Sequence, residues 1–229
     1  FDEWERNLQQ GEDGKWRYVA GSAGKVNADK PMRFAGNGVD KSGESGIIKS
    51  DKNFKPLPKE SVVNILRKKS IEWIKKLTKK EKTAIRKYTK SSIDPKGMEL
   101  FRRLNAMLRG DTPKDTSLER YADVISSALR KSVIDSDIIC YRRSAVDVLK
   151  DYEVGDIYYP GQFLSTAVTE KGALNGEYLI VIRVKKGSIG AYIEKLSAYP
   201  SQRELLLDKD EAYRIIEKAN KVTTIEVIT

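Results

Sequence analysis

The spacing of apolar residues changes near Asp135 from the period of helices to that of strands, and this change is the strongest constraint on the fold. Before it, apolar side chains recur every three or four residues, as from Val62 to Leu77. After it, short β-branched or aromatic runs are separated by Gly, Pro, Asp or Lys turns. Helices followed by strands predict an α+β domain rather than an alternating Rossmann arrangement.

Local signals mark where these elements begin and end. Capping boxes are predicted at 78–81 and 116–119, each a Thr followed three residues later by Glu. Asp94 before Pro95 marks another helix start, and Gly110 marks a helix end. The predicted strands are 138–142, 163–168, 178–184, 191–193, 204–207, 212–216 and 223–228.

Residues 1–58 differ from the rest in being rich in Gly, Lys, Asp, Asn and Ser, with little periodicity. We predict an irregular leader or linker there, followed by one domain at 59–229. Because the chain begins with Phe1 rather than Met, we expect it to be a piece of a longer protein. No apolar run approaches the roughly 18 residues of a membrane span, so no span is expected.

The chain contains no histidine and one cysteine, and several classes of catalytic site are thereby removed. Ser-His-Asp triads, Cys-His pairs and the usual catalytic zinc sites all need histidine. Cys140 follows Ile138 and Ile139 in an apolar run, so it is predicted to be a small core residue rather than a nucleophile. A disulfide framework is excluded, and no metal site is expected.

The positive charge is concentrated in one helical block. Residues 59–90 hold 12 of the 43 Lys and Arg residues but only 3 of the 33 Asp and Glu residues. Such a block suits an acidic protein surface, anionic lipid or nucleic acid, and it also suits a solvated helix face. Aromatic residues do not alternate with the lysines as a stacking surface would require, so no nucleic-acid partner is expected.

Gln202 and Glu204 come at the start of the apolar strand predicted at 204–207. Side chains two residues apart on an extended strand leave the same face. These two are therefore predicted to contact one ligand from one side. For this segment alone, a solvated polar strand end is the alternative.

Three short segments of the strand-rich half occur in a fixed order, with two helical segments, 84–89 and 104–109, before them. This order resembles the Arg, Ser-Thr-Ser and (Glu/Gln)-x-Glu signature of bacterial mono-ADP-ribosyltransferase toxins, closest to the Rho-modifying exoenzymes, although Ala167 departs from the third Ser or Thr. The resemblance covers roughly residues 60–229 and implies N-terminal helices packed on a two-sheet β core, the ADP-ribosyltransferase fold. The three segments are Tyr141-Arg142-Arg143, Phe163-Leu164-Ser165-Thr166-Ala167 and Gln202-Arg203-Glu204.

The resemblance implies NAD as the substrate and gives each matching residue a role. Arg142 anchors the diphosphate with help from Arg143, since a guanidinium fork suits phosphate oxygens. Glu204 stabilises the oxocarbenium-like ribose, Ser165 positions that glutamate, and Thr166 is a further NAD contact. One carboxylate suffices because nicotinamide leaves as a neutral molecule, whereas glycosidases need a second carboxylate to protonate the leaving oxygen.

Four further residues are candidate NAD contacts. Asn105 and Arg109 match an upstream family segment and, being four apart, lie on one helical face. Arg109 also suits the last turn of a helix, and Tyr88 suits either stacking on NAD or packing in the core. Arg183, in the strand at 178–184, is a candidate phosphate or ribose contact.

Gln202 indicates which side chain of the target protein receives the ADP-ribose. In the family, glutamate at this position accompanies arginine modification, and glutamine occurs in enzymes that modify asparagine. A neutral amide hydrogen-bonds another amide but cannot neutralise a guanidinium, so an Asn acceptor is expected ahead of Gln or Thr. Tyr199 resembles the turn aromatic that contacts the target protein; alternatively, Tyr199-Pro200 only makes the loop rigid.

The expected function is NAD-dependent mono-ADP-ribosyl transfer to a target protein, such as a Rho-like small GTPase, with nicotinamide release. The protein is expected to be a monomer, secreted or delivered into a host cell, although domains of this family also occur in phage structural proteins. Two alternatives stay open. One is an NAD glycohydrolase, and the other is a catalytically inactive binding module of the same fold.

Overall fold

The computed structural model describes residues 53–91 and 98–228, together with the backbone of two short strands at 8–10 and 16–18. In the described part, four helices precede eight strands that form one mixed sheet. The predicted α+β class is therefore confirmed. Most of the predicted leader, and the predicted helix start at Asp94, lie outside the described residues.

The helices are α1 (Val62–Lys75), α2 (Lys79–Tyr88), α3 (Leu100–Leu108) and α4 (Thr116–Arg130). Across the described ranges, none of them is long and apolar enough to cross a membrane. Gly110 follows α3 with a φ of 80°, the left-handed conformation of the predicted helix end. The strands are β1 (Leu8–Gln10), β2 (Trp16–Tyr18), β3 (Ile138–Ser144), β4 (Ile157–Tyr158), β5 (Leu164–Ala167), β6 (Tyr178–Val184), β7 (Gly190–Tyr192), β8 (Glu204–Leu207), β9 (Tyr213–Ala219) and β10 (Val222–Val227).

One of the two predicted capping boxes is present. The Thr78 hydroxyl accepts from the Glu81 backbone N–H at 3.2 Å, and the Glu81 carboxylate accepts from the Thr78 N–H at 2.7 Å. The box predicted at 116–119 is wrong, because Asp115 caps α4 instead and accepts from the Ser117 N–H at 2.9 Å. A carboxylate is favoured there by the positive end of the helix dipole.

The sheet has the strand order β4-β9-β10-β6-β3-β5-β8-β7. Neighbours are antiparallel except β6 and β10, which are parallel. β3 pairs with β6 along its whole length but with β5 only at Tyr141 and Ala167. The strands thus form one sheet where the resemblance implied two, and the groups β4 to β3 and β5-β8-β7 meet only at this pair.

Strand β8 is buried on both faces because apolar clusters lie on either side of it. Leu205 and Leu207 belong to a cluster within the strands, and Leu206 belongs to a cluster with the helices. Trp73 is in the second cluster, and its indole N–H donates to the Ala128 carbonyl at 2.8 Å, which joins α1 to α4. Burial of each such leucine contributes about 1.5–3 kcal/mol. The start of β8 is therefore held rigidly.

Cys140 lies in the strand cluster and is fully buried. Burial raises the pKa of its thiol to about 12, and a hydrogen bond with Thr166 offsets this shift only in part. A thiol of this kind stays protonated at neutral pH and is a poor nucleophile. The predicted core role is confirmed.

Candidate active site

A cleft lies where β3 separates from β5. Its walls come from four segments distant in sequence, 141–143, 165–167, 172–174, and Gln202 with Glu204. The loss of pairing beyond the Tyr141–Ala167 pair leaves space between the two groups of strands. Six of the predicted site residues line this cleft, namely Arg142, Arg143, Ser165, Thr166, Gln202 and Glu204.

Glu204 is the first residue of β8 and is only 4% exposed. Burial raises the pKa of its carboxyl to about 7. A hydrogen bond from Ser165 and the positive charge of Arg142 both lower this pKa, but they do not outweigh burial. A raised pKa in a cleft, with a specific charged neighbour, is typical of a functional carboxylate.

Arg142 spans the separation between β3 and β5. Its guanidinium donates from Nη1 to the Ser165 backbone carbonyl at 2.8 Å. Within residues 53–91 and 98–228, this is the one hydrogen bond shown for its side chain, so its other N–H donors remain available to an anion. Arg142 is thus fixed at one end and able to bind at the other.

Arg143 has a different position from its neighbour. Its Nη2 lies 2.7 Å from the Glu170 carboxylate, and its Nη1 donates to the Gly176 carbonyl at 3.4 Å. These bonds tie β3 to the segment 170–176, which we call the wall segment. Arg143 therefore holds the wall of the cleft, and its predicted contact with NAD would have to form beside these bonds.

The wall segment approaches the Gln202 turn closely enough to require glycine. A Cβ on Gly172 would lie 2.5 Å from the Gln202 backbone oxygen. A Cβ on Gly176 would lie 2.7 Å from the Ser144 backbone, so the segment is pressed against β3 as well. The sequence shows these glycines but not their contacts, which is why the wall was not predicted.

Gln202 does not lie on the strand, contrary to the prediction from two-residue spacing. It ends a 3₁₀ turn at Pro200–Gln202, and Arg203 then takes a left-handed conformation with φ 48° and ψ 50°. Glu204 is the first extended residue. Pro200 favours the turn because its φ is preset, and the left-handed Arg203 costs about 1 kcal/mol or more. The turn still brings Gln202 and Glu204 into one cleft.

The turn that precedes Gln202 is anchored to helix α2. The Ala198 N–H donates to the Thr89 hydroxyl at 2.9 Å, and the Tyr199 N–H donates to the Ser197 hydroxyl at 3.0 Å. The Tyr199 side chain is 40% exposed. An exposed aromatic on a fixed turn, next to a cleft, suits contact with another protein.

Tyr88 and Asn105 contact each other, and neither is among the residues that line the cleft. Tyr88 is 3% exposed, and its ring packs edge-on against Phe163 at a centroid distance of 5.7 Å. Its hydroxyl accepts from Asn105 Nδ2 at 3.1 Å. Burial raises the pKa of Tyr88, and the charge of Glu204 raises it further, although the hydrogen bond from Asn105 lowers it. Of the two interpretations of Tyr88, the structure supports core packing.

Arg109 lies at the C-terminal end of α3 and is not among the residues that line the cleft. It is exposed and forms an ion pair with Asp111, with Nη2 2.6 Å from the carboxylate. It also donates to the side chain of Gln162. Gln162 precedes Phe163, the residue against which Tyr88 packs, so these bonds attach Arg109 to the segment that leads into β5.

Two further predicted NAD contacts, Thr166 and Arg183, have side chains that interact with other residues of the protein. The Thr166 hydroxyl donates to the Leu205 carbonyl at 2.8 Å, and the residue is 4% exposed, because it alternates with Ser165 on β5. Arg183 lies 3.7 Å from the Glu226 carboxylate and 5.2 Å above the ring of Phe54. Arg183 is not among the residues that line the cleft.

The cleft therefore combines the buried carboxylate of Glu204, the Arg142 guanidinium with N–H donors available to a ligand, and the Gln202 amide on a strained turn. Arginine suits a diphosphate, and a carboxylate with few donors suits a developing positive charge. In the described ranges, no group of three or more Cys, Asp or Glu residues is placed to hold a metal ion. The arrangement fits glycosyl transfer from a substrate that carries a diphosphate and a positively charged ring that leaves as a neutral molecule.

Comparison with solved structures shows the same fold. The toxin Plx2a, an ADP-ribosyltransferase from Paenibacillus larvae, is 20% identical and superposes with a TM-score of 0.62 over 76% of this chain and 98% of its own. C3stau2 from S. aureus, solved with NAD, is 20% identical with a TM-score of 0.63 over 77% and 99%. The C3 exoenzyme of Clostridium limosum is 18% identical with a TM-score of 0.62 over 77% and 98%.

The family model that matches this chain is that of the ADP-ribosyltransferase exoenzymes, and it covers residues 66–228. No curated protein matches the chain. The matched region spans most of the helices and the entire eight-stranded sheet, and it contains every residue that lines the cleft. The chain therefore belongs to the ADP-ribosyltransferase exoenzyme family and is a transferase.

Proposed function

We propose that this transferase moves ADP-ribose from NAD to an asparagine side chain of a target protein, with residues 59–229 as the catalytic domain. The observation that carries the proposal is the convergence of Arg142, Ser165, Gln202 and Glu204 on one cleft. A phosphate anchor, a carboxylate with its supporting hydroxyl and an amide are the groups that this reaction needs.

Arg142 is the proposed anchor for the NAD diphosphate, because its guanidinium is fixed to the Ser165 carbonyl at one nitrogen only. Asn105 offers a second contact. Its Oδ1 is buried and has no hydrogen-bond partner among the described residues, although its Nδ2 is bonded to Tyr88. A buried acceptor without a partner costs about 1–3 kcal/mol, and a hydroxyl of the substrate would remove that cost.

Glu204 is the proposed catalytic residue. The bond from the nicotinamide nitrogen to ribose C1 breaks, its electron pair stays on the ring nitrogen, and nicotinamide leaves uncharged. The ionised Glu204 carboxylate opposes the positive charge that develops on the ribose, and burial strengthens this interaction by excluding water. The acceptor nitrogen then bonds to C1 and releases a proton to water.

Gln202 is the proposed acceptor-selecting residue. Its amide pairs with another amide and cannot neutralise an arginine, which supports an asparagine acceptor. Tyr199, exposed on the same anchored turn, is the proposed contact with the target, for which a Rho-like small GTPase is our first candidate. We further propose that the protein acts as a monomer after secretion or delivery into a host cell.

Incubation with NAD labelled on the adenylate, in the presence of a cell lysate, tests the proposal. A labelled protein band is expected, and mass spectrometry should place the ADP-ribose on asparagine. The variant Gln202→Ala should lose about 10-fold or more of the transfer while nicotinamide release continues, because Gln202 orients the acceptor and not the dinucleotide.

The outcomes separate the alternatives. Nicotinamide release without a labelled protein would indicate water as the acceptor. No release would contradict an NAD-cleaving enzyme, and equal loss of release and transfer in Gln202→Ala would contradict the acceptor role. Lys171→Ala, an exposed change in the neighbouring wall segment, is the matched control and should retain both activities.

A further inference from the structure

Helices α1 and α2 and the residues that follow each of them carry eight exposed cations that the proposed reaction does not use. On α1 the exposed cations follow one stripe, opposite the buried face that contains Leu66 and Trp73. On α2 they continue from the first turn to the residue after Thr89. We call this the lysine surface. Its exposed members are Lys68, Lys75, Lys76, Lys79, Lys80, Arg86, Lys87 and Lys90.

The acidic residues of the same segment neutralise only one of these eight cations, Lys75. Glu72 pairs with Lys75 at 2.7 Å, and Glu81 is buried and pairs with Lys131 of α4 at 2.7 Å. Glu60 is exposed but precedes α1. In the part of the chain that the structure describes, no ion pair is found for the other seven cations of the lysine surface.

The lysine surface does not help the helices to form. Lys79 and Lys80 begin α2, where the positive end of the helix dipole disfavours cations. Lys82, which is partly buried, and Arg86 are four residues apart on α2, and like charges at this spacing in a helix cost about 0.2–0.5 kcal/mol. Because these charges weaken the free protein, an external anionic partner is the natural counterpart.

The composition of the lysine surface distinguishes among anionic partners. Trp73 and Tyr88, the aromatic residues of the block, are 4% and 3% exposed, so neither can stack on a nucleobase or act as a protein hot spot. Lysine is depleted in protein–protein interfaces, where arginine and aromatic residues dominate. Ile71 is 39% exposed between Lys68 and Lys75, on the same stripe of α1. An apolar side chain among lysines suits the headgroup region of a bilayer.

We propose that the lysine surface adsorbs this protein to membranes that contain anionic lipids. Each basic residue near such a membrane contributes about 1 kcal/mol, so several together support reversible binding. The end of α2 is bonded to the turn that carries Tyr199, through the Thr89 hydroxyl and the Ala198 N–H at 2.9 Å. Adsorption would therefore hold the acceptor turn near the bilayer and favour membrane-associated target proteins.

Sedimentation with lipid vesicles tests this surface without any catalytic readout, so its failure would leave the proposed reaction untouched. The full chain should bind vesicles of phosphatidylcholine with phosphatidylserine and should not bind phosphatidylcholine alone. Raising the salt from about 50 to about 300 mM should release it, because the binding is electrostatic. Reversal of three charges, Lys76→Glu, Lys79→Glu and Lys80→Glu, should weaken binding about 100-fold or more.

A matched variant reverses three exposed lysines elsewhere, Lys150→Glu, Lys186→Glu and Lys195→Glu, and has the same net charge. It should keep most of the vesicle binding, and the circular dichroism melting of both variants checks their folding. Equal loss in the two variants would overturn the proposal, since net charge alone would then explain binding. Equal binding to phosphatidylcholine alone, or binding to duplex DNA without binding to vesicles, would also overturn it.

Discussion

Glu81 and Glu204 are the same residue type at nearly the same exposure, 5% and 4%, yet their pKa values shift in opposite directions. At Glu81, burial raises the pKa, but hydrogen bonds from Lys131, Thr78 and Ser127 outweigh it and lower the pKa to about 2. At Glu204, burial prevails over Ser165 and raises the pKa to about 7.

The difference lies in the donors around each carboxylate. Glu81 accepts from a lysine at 2.7 and 2.8 Å and completes a helix cap, so its charge is fully compensated inside the protein. Glu204 is held by Ser165 and by the charge of Arg142 alone. A buried carboxylate with incomplete compensation is unfavourable in the free protein and favourable once a cation arrives, which is what a transition state with positive charge on ribose provides.

The largest expected effect is on activity. Glu204→Gln should lower the rate of nicotinamide release from NAD at least about 100-fold, because the amide keeps the shape but loses the charge. Glu81→Gln is the matched control and should retain the rate per folded molecule. A Glu204→Gln enzyme with an unchanged rate would show that another carboxylate performs the reaction.

The next effect is on stability, and here Glu81→Gln is the variant that should be affected. Glu81→Gln should lower the free energy of unfolding by about 2 kcal/mol, since it leaves Lys131 without its partner and weakens the cap of α2. Lys131 is partly exposed, so water limits the cost. Urea unfolding at pH 7 measures it, and an unchanged midpoint would mean that Glu81 contributes no net stability.

The pH dependence of stability should separate the two glutamates further. A raised pKa means that the folded state binds its proton more tightly, so the stability from Glu204 is present below about pH 4.5 and is lost as the pH rises to about 7. The stability of Glu204→Gln relative to the native protein should therefore be higher at pH 8 than at pH 5, by about 2–3 kcal/mol.

The pH dependence of the stability that Glu81 contributes has the opposite sign. Its lowered pKa contributes stability above about pH 4.5 that is lost as the pH falls towards 2, so the cost of Glu81→Gln should shrink in acid. Urea unfolding at pH 3, 5 and 8 gives both comparisons. Parallel pH profiles for the two variants would contradict the opposite pKa shifts.

The smallest expected effect concerns the packing beside the cleft. Glu81 is held by residues of its own helix and of α4, whereas the turn before Glu204 is pressed by the wall segment. Gly172→Ala would place a Cβ 2.5 Å from the Gln202 oxygen and displace that turn. Transfer to protein should fall about 5-fold, roughly 1 kcal/mol, with a smaller loss of nicotinamide release. Equal loss of both would indicate that the whole cleft moved.

Much of the fold was predictable because its signals are local. The change of period near Asp135, the Thr78–Glu81 cap and the apolar strand at 204–207 depend on residues within a few positions of one another. The ordered signature segments also predicted which polar residues meet in the cleft, although each segment alone is weak.

Errors arose where regular spacing was carried past the end of a regular element. Gln202 and Glu204 were expected on one strand face, but the left-handed Arg203 separates a turn from the strand. The NAD contacts of Thr166 and Arg183 stay predictions. Thr166 lines the cleft, but strand alternation directs its hydroxyl to the Leu205 carbonyl. Arg183 is not among the residues that line the cleft, and its neighbours are Glu226 and Phe54.

By itself, the sequence determined that helices precede strands, seven of the eight strands of the large sheet, the cap of α2 and the residue types that converge on the cleft; the two-residue strand β4 was not predicted. Only the tertiary structure decided how deeply Glu204 is buried, that Arg143 braces the wall segment and that Gly172 meets the Gln202 backbone. The physical reason is the distance along the chain over which each interaction acts. Periodicity and capping act between neighbours in the chain, whereas desolvation and close packing depend on segments that only folding brings together.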